Sequence, residues 1–471
     1  MIQLPFVKDR CIAVLGLGRS GLVAARALQH SGADVRAWDD SPARRAEAEA
    51  AGLPLHDLAT ADWRKPETLV LSPGIPHCHP KPHPVAAKAR EAGCEIIGDI
   101  ELLGRACPEA TYIGITGTNG KSTTTALIGH ILDDVGQAPQ VGGNLGPPVL
   151  AFESCGADGT PFVLEMSSYQ LERTAAITFE VAVLLNITPD HLDRHGGFEG
   201  YVAAKKAIFT GQGSAHTAIV GVDDPTCAAI HEDLSAQGRQ RVIGVSATAP
   251  VAGGVYVNGG RLIDDMDGAA RVVADLRPLA TLPGAHNWQN AAAAYAAARC
   301  RGIAPEAIAE SLTRFPGLPH RQAIIARIDG VTFVNDSKAT NADATRRALA
   351  SYKEIYWIAG GRAKVGGLAG TESGWDRVRR AFLIGEAAPE FQAALHDSIP
   401  AEVSGDLETA VAAAFKRARE DGAEAPVVLL SPACASFDQY PDFEARGAAF
   451  ARAVTALHDA RTGASAQGGA A

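Results

Sequence analysis

Although eight cysteines (Cys11, Cys78, Cys94, Cys107, Cys155, Cys227, Cys300 and Cys434) are spread over 471 residues, no two of them form a Cys-x-x-Cys pair. Paired zinc ligands are thereby excluded, and the cysteines are expected to be reduced core residues and not a disulfide framework. Basic residues are also in deficit: 43 Lys and Arg face 53 Asp and Glu, a net charge of −10. This balance argues against a broad basic surface for nucleic acid, while local basic pockets for a small anion remain open. No apolar run approaches the ~20 residues of a spanning helix. The opening Met1-Ile2-Gln3-Leu4-Pro5-Phe6 lacks the charged-then-apolar order of a secretory signal, so a cytoplasmic protein without a membrane span is expected. No internal repeat suggests a solenoid. With 46% hydrophobic and 20% charged residues the chain reads as an ordinary globular protein, long enough for about three domains.

What is present centres on Tyr112-Ile113-Gly114-Ile115-Thr116-Gly117-Thr118-Asn119-Gly120-Lys121-Ser122-Thr123. An apolar strand breaks into a glycine turn, and a helix follows through Leu132. Backbone N–H groups in such a turn converge on an anion at the helix N-terminus. Lys121 would neutralise the β- and γ-phosphates, and the Ser122 hydroxyl would ligate Mg²⁺. Ile115 occupies the first glycine position of the strict phosphate-loop pattern, yet strand, turn and helix keep their order. A plain strand-to-helix turn with an exposed lysine is the alternative.

Upstream, residues 11–16 form a strand, Gly16-x-Gly18-x-x-Gly21 opens a helix to about His30, and the strand Asp34 to Trp38 delivers Asp39. This fingerprint suits NAD, with Asp39 on a ribose hydroxyl. A second phosphate cradle downstream and the lack of a hydride-transfer constellation argue against a nicotinamide oxidoreductase, and a nucleotide-sugar diphosphate could use the same turn. Strands are expected at Thr68–Leu71 and Glu95–Ile97, with a rigid Ser72-Pro73-Gly74-Ile75-Pro76 loop between them. His77, His79 and His83 lie in a proline-rich run and read as solvated loop residues. A domain boundary is expected near 103–108.

Past the phosphate loop, Gly142 to Pro148 reads as a breaker-rich loop. Residues 161–168 read as a strand that presents Glu165 where a Mg²⁺ ligand belongs. Another strand, Val181–Asn186, leads into Thr188-Pro189-Asp190-His191-Leu192-Asp193-Arg194-His195. Residues 201–209 are helical by pattern, and sequence physics alone gives Lys205 no role. Strands follow at His216–Val220 and Arg241–Val245, then a hairpin about Asn258-Gly259-Gly260 and a helix Asn290–Arg301. Asn287 and Asn290 offer amides to cap that helix or meet a nucleotide. Pro and Gly concentrate at residues 315–319, a second boundary, and a third α/β unit with strands at 322–328, 331–335, 355–359, 381–384 and 427–430 follows. The Ala/Gly/Ser-rich tail after about Ala460 is expected to fray.

Taken together, Gly-Thr-Asn-Gly-Lys-Ser at 117–122, Leu-Glu-Met-Ser-Ser-Tyr-Gln-Leu at 164–171, Leu-Asn-Ile-Thr-Pro-Asp-His-Leu-Asp at 185–193, Ala-Ala-Lys at 203–205, His-Asn at 286–287, Pro-His-Arg at 319–321, Asn-Asp-Ser-Lys-Ala-Thr-Asn at 335–341 and Ser-Pro-Ala-Cys-Ala-Ser-Phe-Asp at 431–438 resemble the Mur ligase family. The last two point to its D-glutamate-adding member, and the Asp-Asn-Pro-Arg of the diaminopimelate- or lysine-adding members is absent.

The resemblance implies a three-domain α/β fold: a Rossmann-like UDP-sugar domain (1–105), a central ATPase domain of P-loop type with a mostly parallel sheet (106–316), and a Rossmann-like amino-acid domain (317–471). It implies a monomer that closes on its substrates, and an ATP-dependent ligase of peptidoglycan synthesis that joins D-glutamate to UDP-N-acetylmuramoyl-L-alanine through an acyl phosphate. By matched position, Lys121, Glu165, His191 and Lys205 would be catalytic. Gly117, Thr118, Asn119, Gly120, Lys121, Ser122, Thr123, Asn287, Arg321 and Asp336 would bind ATP. Ser122 and Glu165 would hold one Mg²⁺, and His191 with a carbamylated Lys205 a second. Ser20, Asp39, Gly74 and Asn144 would contact the UDP-sugar, so no NAD is expected. Lys338, Thr340, Lys364, Ser436 and Phe443 would surround D-glutamate, two cations and polar donors suiting a dicarboxylate. Three positions depart from the pattern: Ser41 where relatives can carry arginine, Arg362 in place of an acid, and Gln322 in place of a hydrophobic residue. A sister ligase for another amino acid and a non-catalytic nucleotide-binding homologue are the rival readings.

Overall fold

A computed structural model describes residues 1–156 and 159–468, with side chains to residue 459. Two compact units result, one of Met1–Asp275 with Gln289–Arg314, the other of Leu276–Trp288 with the chain from Phe315 onward.

The first unit carries two sheets. β1 (Cys11–Leu15), β2 (Asp34–Trp38), β3 (Thr68–Leu71) and β4 (Glu95–Ile97) run in parallel in the order β2-β1-β3-β4. Its larger sheet holds β5 (Tyr112–Thr116), β6 (Gln140–Gly143), β7 (Phe162–Glu165), β8 (Val181–Leu184), β9 (Thr217–Gly221), β10 (Arg241–Ser246), β11 (Val255–Asn258), β12 (Arg261–Asp264) and β13 (Arg271–Asp275). The order is β13-β12-β11-β10-β9-β8-β5-β7-β6, parallel from β6 to β11 and antiparallel over the last three strands. Every residue of β3, β5, β7 and β8 is buried, which is why these strands read as unbroken apolar runs: helices cover both faces of a parallel sheet. In both sheets the chain reverses direction around the first strand, β1 and β5, and each is followed by its glycine turn. Such switch points leave a crevice at the strand ends. One contiguous apolar core, from Ile2 and Val14 to Phe162 and Leu184, serves both sheets.

The second unit is built on β14 (Ala323–Ile328), β15 (Val331–Asn335), β16 (Glu354–Gly360), β17 (Val378–Ile384), β18 (Ala401–Gly405) and β19 (Pro426–Leu430), ordered β14-β15-β19-β16-β17-β18. Only the β14–β15 pair is antiparallel. Trp357 and Phe391 fill the core on one face, Phe382, Phe415 and Phe450 on the other.

Several expectations need correction. Cys107 and Cys155 form a disulfide, because the end of the Asp99–Ala106 helix and the segment after Phe152 meet in space, a pairing that spacing alone does not reveal. The other six cysteines are free. The breaker-rich stretch from Gly142 begins as part of β6, whose glycines permit close pairing: a Cβ on Gly143 (φ +100) would lie 2.5 Å from the Glu165 carbonyl oxygen. The helix expected from Asn290 starts at Ala285, with residues 291–298 fully enclosed, as alanines allow. The final helix runs Phe443–Gly468, through the tail expected to fray. Two loop histidines are anchored: His83 accepts the Val85 N–H at a helix N-cap and pairs with Asp40 at 2.9 Å, and His77 faces Glu172 at 3.9 Å.

Candidate active site

At the end of β5 the turn reaches Gly120 in the left-handed region (φ +85), directly before the Lys121–Asp134 helix. A Cβ there would come 2.2 Å from the Asn290 Oδ1, so glycine is required and Asn290 is seated on the loop. Asn186, at the end of β8, clasps the turn from the other side: its Oδ1 accepts the Asn119 N–H at 2.9 Å and its Nδ2 donates to the Asn119 carbonyl at 3.1 Å. Thr118 donates through its hydroxyl to the Thr188 carbonyl. The loop is therefore preformed by β5 and β8 together. Lys121 folds onto it, with Nζ donating to the Gly117 and Thr118 carbonyls at 2.9 and 2.8 Å. Thr123 follows, half-buried, in the first helical turn.

Beneath the loop the Ser122 hydroxyl donates to Glu165 Oε2, and Asn144 Nδ2 donates to Oε1 at 2.7 Å. Pairing of β6 with β7 makes this contact, since Gly143 lies opposite Glu165. Among the described residues no three His, Cys, Asp or Glu side chains converge as a metal site. A cation here needs donors of another kind, and a serine hydroxyl beside a carboxylate is a hard-oxygen pair that suits Mg²⁺. Lys205 is 2% exposed. Its Nζ donates to the Gly117 carbonyl at 2.8 Å and lies 4.7 Å from the centre of the Tyr201 ring. Burial, then the nearby Lys121 charge, holds its pKa well below that of an ordinary lysine. His191 stands in the left-handed region (φ +52), 44% exposed, with Nε2 3.5 Å from Asp190.

The amino-terminal turn is braced similarly. Asp39 accepts the Leu17 N–H at 2.6 Å and the Ser41 N–H at 2.8 Å, so the carboxylate first holds its own loops. Ser72 donates to the Gly16 carbonyl, fixing the turn that exposes Gly74, while Ser20 sits part-buried in the first turn of the Arg19–His30 helix. Where Ser41 lacks a guanidinium, Arg45 lies over the Trp38 ring at 4.5 Å and donates to the Asp39 carbonyl.

In the second unit Arg321 is flanked by two non-glycine residues with positive φ, His320 (+62) and Gln322 (+49), a strained backbone of the kind that persists at functional sites. Gln322 replaces a hydrophobic residue for a visible reason: its Nε2 donates to His286 Nε2 at 3.2 Å. Burial pushes His286 down to about 3, so the ring is neutral and can accept. Asp336 takes the Gln322 N–H and the Ser431 hydroxyl, and burial raises its pKa to about 7 against those lowering bonds. Lys338 Nζ lies 3.7 Å from the centre of the Phe443 ring, and the Thr340 N–H donates to the Lys338 carbonyl. Ser436 is buried, whereas Lys364 is exposed. Arg362 pairs by backbone with Ala435 and by side chain with Glu386. Asn287 Nδ2 donates to the Pro283 carbonyl at 2.8 Å, which ties its side chain to the segment entering the helix.

Sequence reasoning assigned no role to Arg446 or Asn186 and left Asn290 undecided between capping and nucleotide. Arg446 is 1% exposed and binds Ser337 through Nε (hydroxyl, 3.0 Å) and Nη2 (carbonyl, 2.8 Å), then Cys434 through Nη2 (carbonyl, 3.0 Å). A buried arginine's partners cannot be read from local pattern; Asn186 could have been found as the polar residue that ends an apolar strand.

Residues 115–298 match the Mur ligase middle domain. The chain is 52% identical to the UDP-N-acetylmuramoylalanine–D-glutamate ligase of Rhodospirillum rubrum, over 96% of each chain. It is 52% identical to the same ligase of Phenylobacterium zucineum, over 98% and 99%. Among solved structures it resembles the UDP-N-acetylmuramate-alanine ligase of Thermotoga maritima, with a TM-score of 0.58 at 17% identity over 95% of this chain and 99% of that one. A Thermotoga maritima MurF ligase in complex with ADP gives a TM-score of 0.57 at 16% identity, over 97% and 98%.

Proposed function

The chain belongs to the Mur ligase family, and from that premise we propose how its residues divide the work. It is an ATP-dependent ligase that adds D-glutamate to UDP-N-acetylmuramoyl-L-alanine in peptidoglycan precursor synthesis. One observation carries the assignment of chemistry to the first unit: the Ser122 hydroxyl rests on the Glu165 carboxylate under a preformed phosphate loop, with a buried amine, Lys205, on the same loop.

Lys121 and the 117–123 turn hold the ATP phosphates, with Asn287, Arg321 and Asp336 as further nucleotide contacts. Ser20, Asp39, Gly74 and Asn144 hold the UDP-sugar. The γ-phosphoryl group passes to the substrate carboxylate, releasing ADP. The D-glutamate amine, once deprotonated, attacks the acyl carbon, and phosphate leaves as the amide forms. Positioning and charge neutralisation do most of this. Ser122 and Glu165 fit one Mg²⁺, and His191 with carbamylated Lys205 a second. When bound, these ions supply charge neutralisation at the phosphoryl group. Lys338, Thr340, Lys364, Ser436 and Phe443 receive D-glutamate. Domains of 1–105, 106–316 and 317–471, a monomeric state and a cytoplasmic location complete the reading.

The test is phosphate release from MgATP with UDP-N-acetylmuramoyl-L-alanine, comparing D-glutamate with L-glutamate, L-alanine and meso-diaminopimelate. Release that needs both the nucleotide-sugar and D-glutamate is expected. Release with another amino acid would overturn the assignment of the second unit's residues, and no release at all would leave a nucleotide-binding homologue.

A further inference from the structure

His195 and Glu172 lie outside every role given so far, yet they form a largely enclosed polar pair near the phosphate loop. The His195 side chain is fully buried. Its Nδ1 is 2.6 Å from Glu172 Oε1 and its Nε2 2.9 Å from Ser168 Oγ. A carboxylate only accepts, so Nδ1 carries a proton. Burial works to raise the Glu172 pKa, but the His195 hydrogen bond and charge outweigh it and leave the carboxyl below its ordinary value. Hydroxyl, imidazole and carboxylate thus stand in the order of a nucleophilic triad. Ser168 is only 4% exposed, closed to an incoming acyl group, so the array holds structure and does not attack.

What it holds can be traced. The His195 ring stacks on Tyr169 at 5.5 Å and meets Tyr201 at 5.4 Å. Tyr169 contacts the His191 ring at 5.2 Å. Tyr201 reaches the phosphate loop through Thr118 Oγ1 at 3.1 Å and underlies Lys205. On the other side, Glu172 faces His77 of the Ser72–His79 loop at 3.9 Å. The residues beside His195 and Glu172 bind the backbone within that loop and at its entry: Arg194 donates to the Ile75 carbonyl at 3.1 Å, and Arg173 to the carbonyl of Leu71, the last residue of β3, at 3.0 Å. Gly74 lies between these anchor points.

We infer that His195 and Glu172 are positioning residues that set the Gly74 loop in register with His191 and Lys205, and so align the UDP-sugar without touching it. This rests on the reading of Gly74 and Asn144 as UDP-sugar contacts. His195→Phe keeps a ring between the two tyrosines and removes both polar atoms. Glu172→Gln keeps shape and an acceptor and removes the charge. For His195→Phe, KM and calorimetric Kd for UDP-N-acetylmuramoyl-L-alanine are expected to rise about tenfold or more, the scale of lost outer-shell support. ADP affinity and KM for D-glutamate should stay near wild type. Glu172→Gln should show a smaller rise of the same kind, and the double variant should be no worse than His195→Phe. Unchanged sugar affinity in both variants overturns the inference. So does a parallel weakening of all three ligands with a lowered melting temperature, which marks a merely structural role. If His195→Phe does not fold, the calorimetric Kd of Glu172→Gln decides. Asn144→Ala in the same titration keeps the two failures apart: wild-type sugar affinity there sinks the subsite reading itself, whereas weakened affinity there beside unchanged affinity in the other two sinks only the positioning role.

Discussion

Lys121 and Lys205 place their side-chain nitrogens on one acceptor, the Gly117 carbonyl oxygen, at 2.9 and 2.8 Å. Two ammonium groups so close repel, and the more buried of them yields its proton first. Lys205 is that group. A neutral amine adds CO₂ to give a carbamate, which replaces a cation by a carboxylate-like ligand. Lys205→Ala should therefore lose activity by at least the roughly 100-fold that weakened outer-shell support of a metal can cost, with partial return on adding acetate or formate. Depleting CO₂ should lower wild-type turnover reversibly. Full activity of the variant without rescue would remove the carbamate from the mechanism.

The bond between Cys107 and Cys155 gives a second expectation. Thiol titration of the denatured protein without reductant should find the six free cysteines of the structure, and all eight after reduction. Because the bond closes a loop of 48 residues, its reduction or a Cys107→Ser change should cost about 3–4 kcal/mol in the chain-entropy account. Eight thiols before reduction would show the pair to be unlinked in solution.

Legibility in the sequence followed range. β5, its glycine turn and the following helix were readable because periodicity and turn chemistry act over a few residues. So were the fully buried strands, and the hairpin at Asn258-Gly259-Gly260, which pairs as β11 with β12. What failed was long-range pairing. His195 meets Glu172 across 23 positions, and Arg446 meets Ser337 across 109. Gly142 and Gly143 read as breakers, although their lack of a side chain is what lets β6 pair beside Glu165 and bring Asn144 to it. Gln322 looked like a departure, and its reason, His286, lies in another segment.

Asp336 makes stability depend on pH with a definite sign. Its carboxyl titrates at 3.8 when unperturbed and at about 7 in the fold. Between those values the folded protein keeps a proton that the unfolded chain has released. This group's contribution is complete below pH 3.8 and is lost as pH rises toward 7, at up to about 1.4 kcal/mol per pH unit. Asp336→Asn cannot titrate. The difference in melting temperature between variant and wild type should move in the variant's favour from about pH 4 to 7 and level off above that. Parallel melting curves across the range, followed by calorimetry, would mean that Asp336 ionises normally.

Arg446→Lys tests whether the Asp336–Asn341 and Ser431–Asp438 loops act as one receptor. The guanidinium spans the Ser337 hydroxyl and carbonyl and the Cys434 carbonyl, a fork that one ammonium nitrogen cannot reproduce. Burial already lowers the Arg446 pKa to about 10, so the charge is held by these contacts and not by solvent. Each carbonyl left unpaired should cost about 1–3 kcal/mol of stability. If the two loops bind D-glutamate together, even ~1.4 kcal/mol of that loss falling on the bound state appears as a tenfold rise in its KM. KM for the UDP-sugar, read from the other unit, should not move. A lowered melting temperature with every KM unchanged would assign Arg446 to folding alone, and the loops would then have to be treated as independent contributors to the amino-acid site.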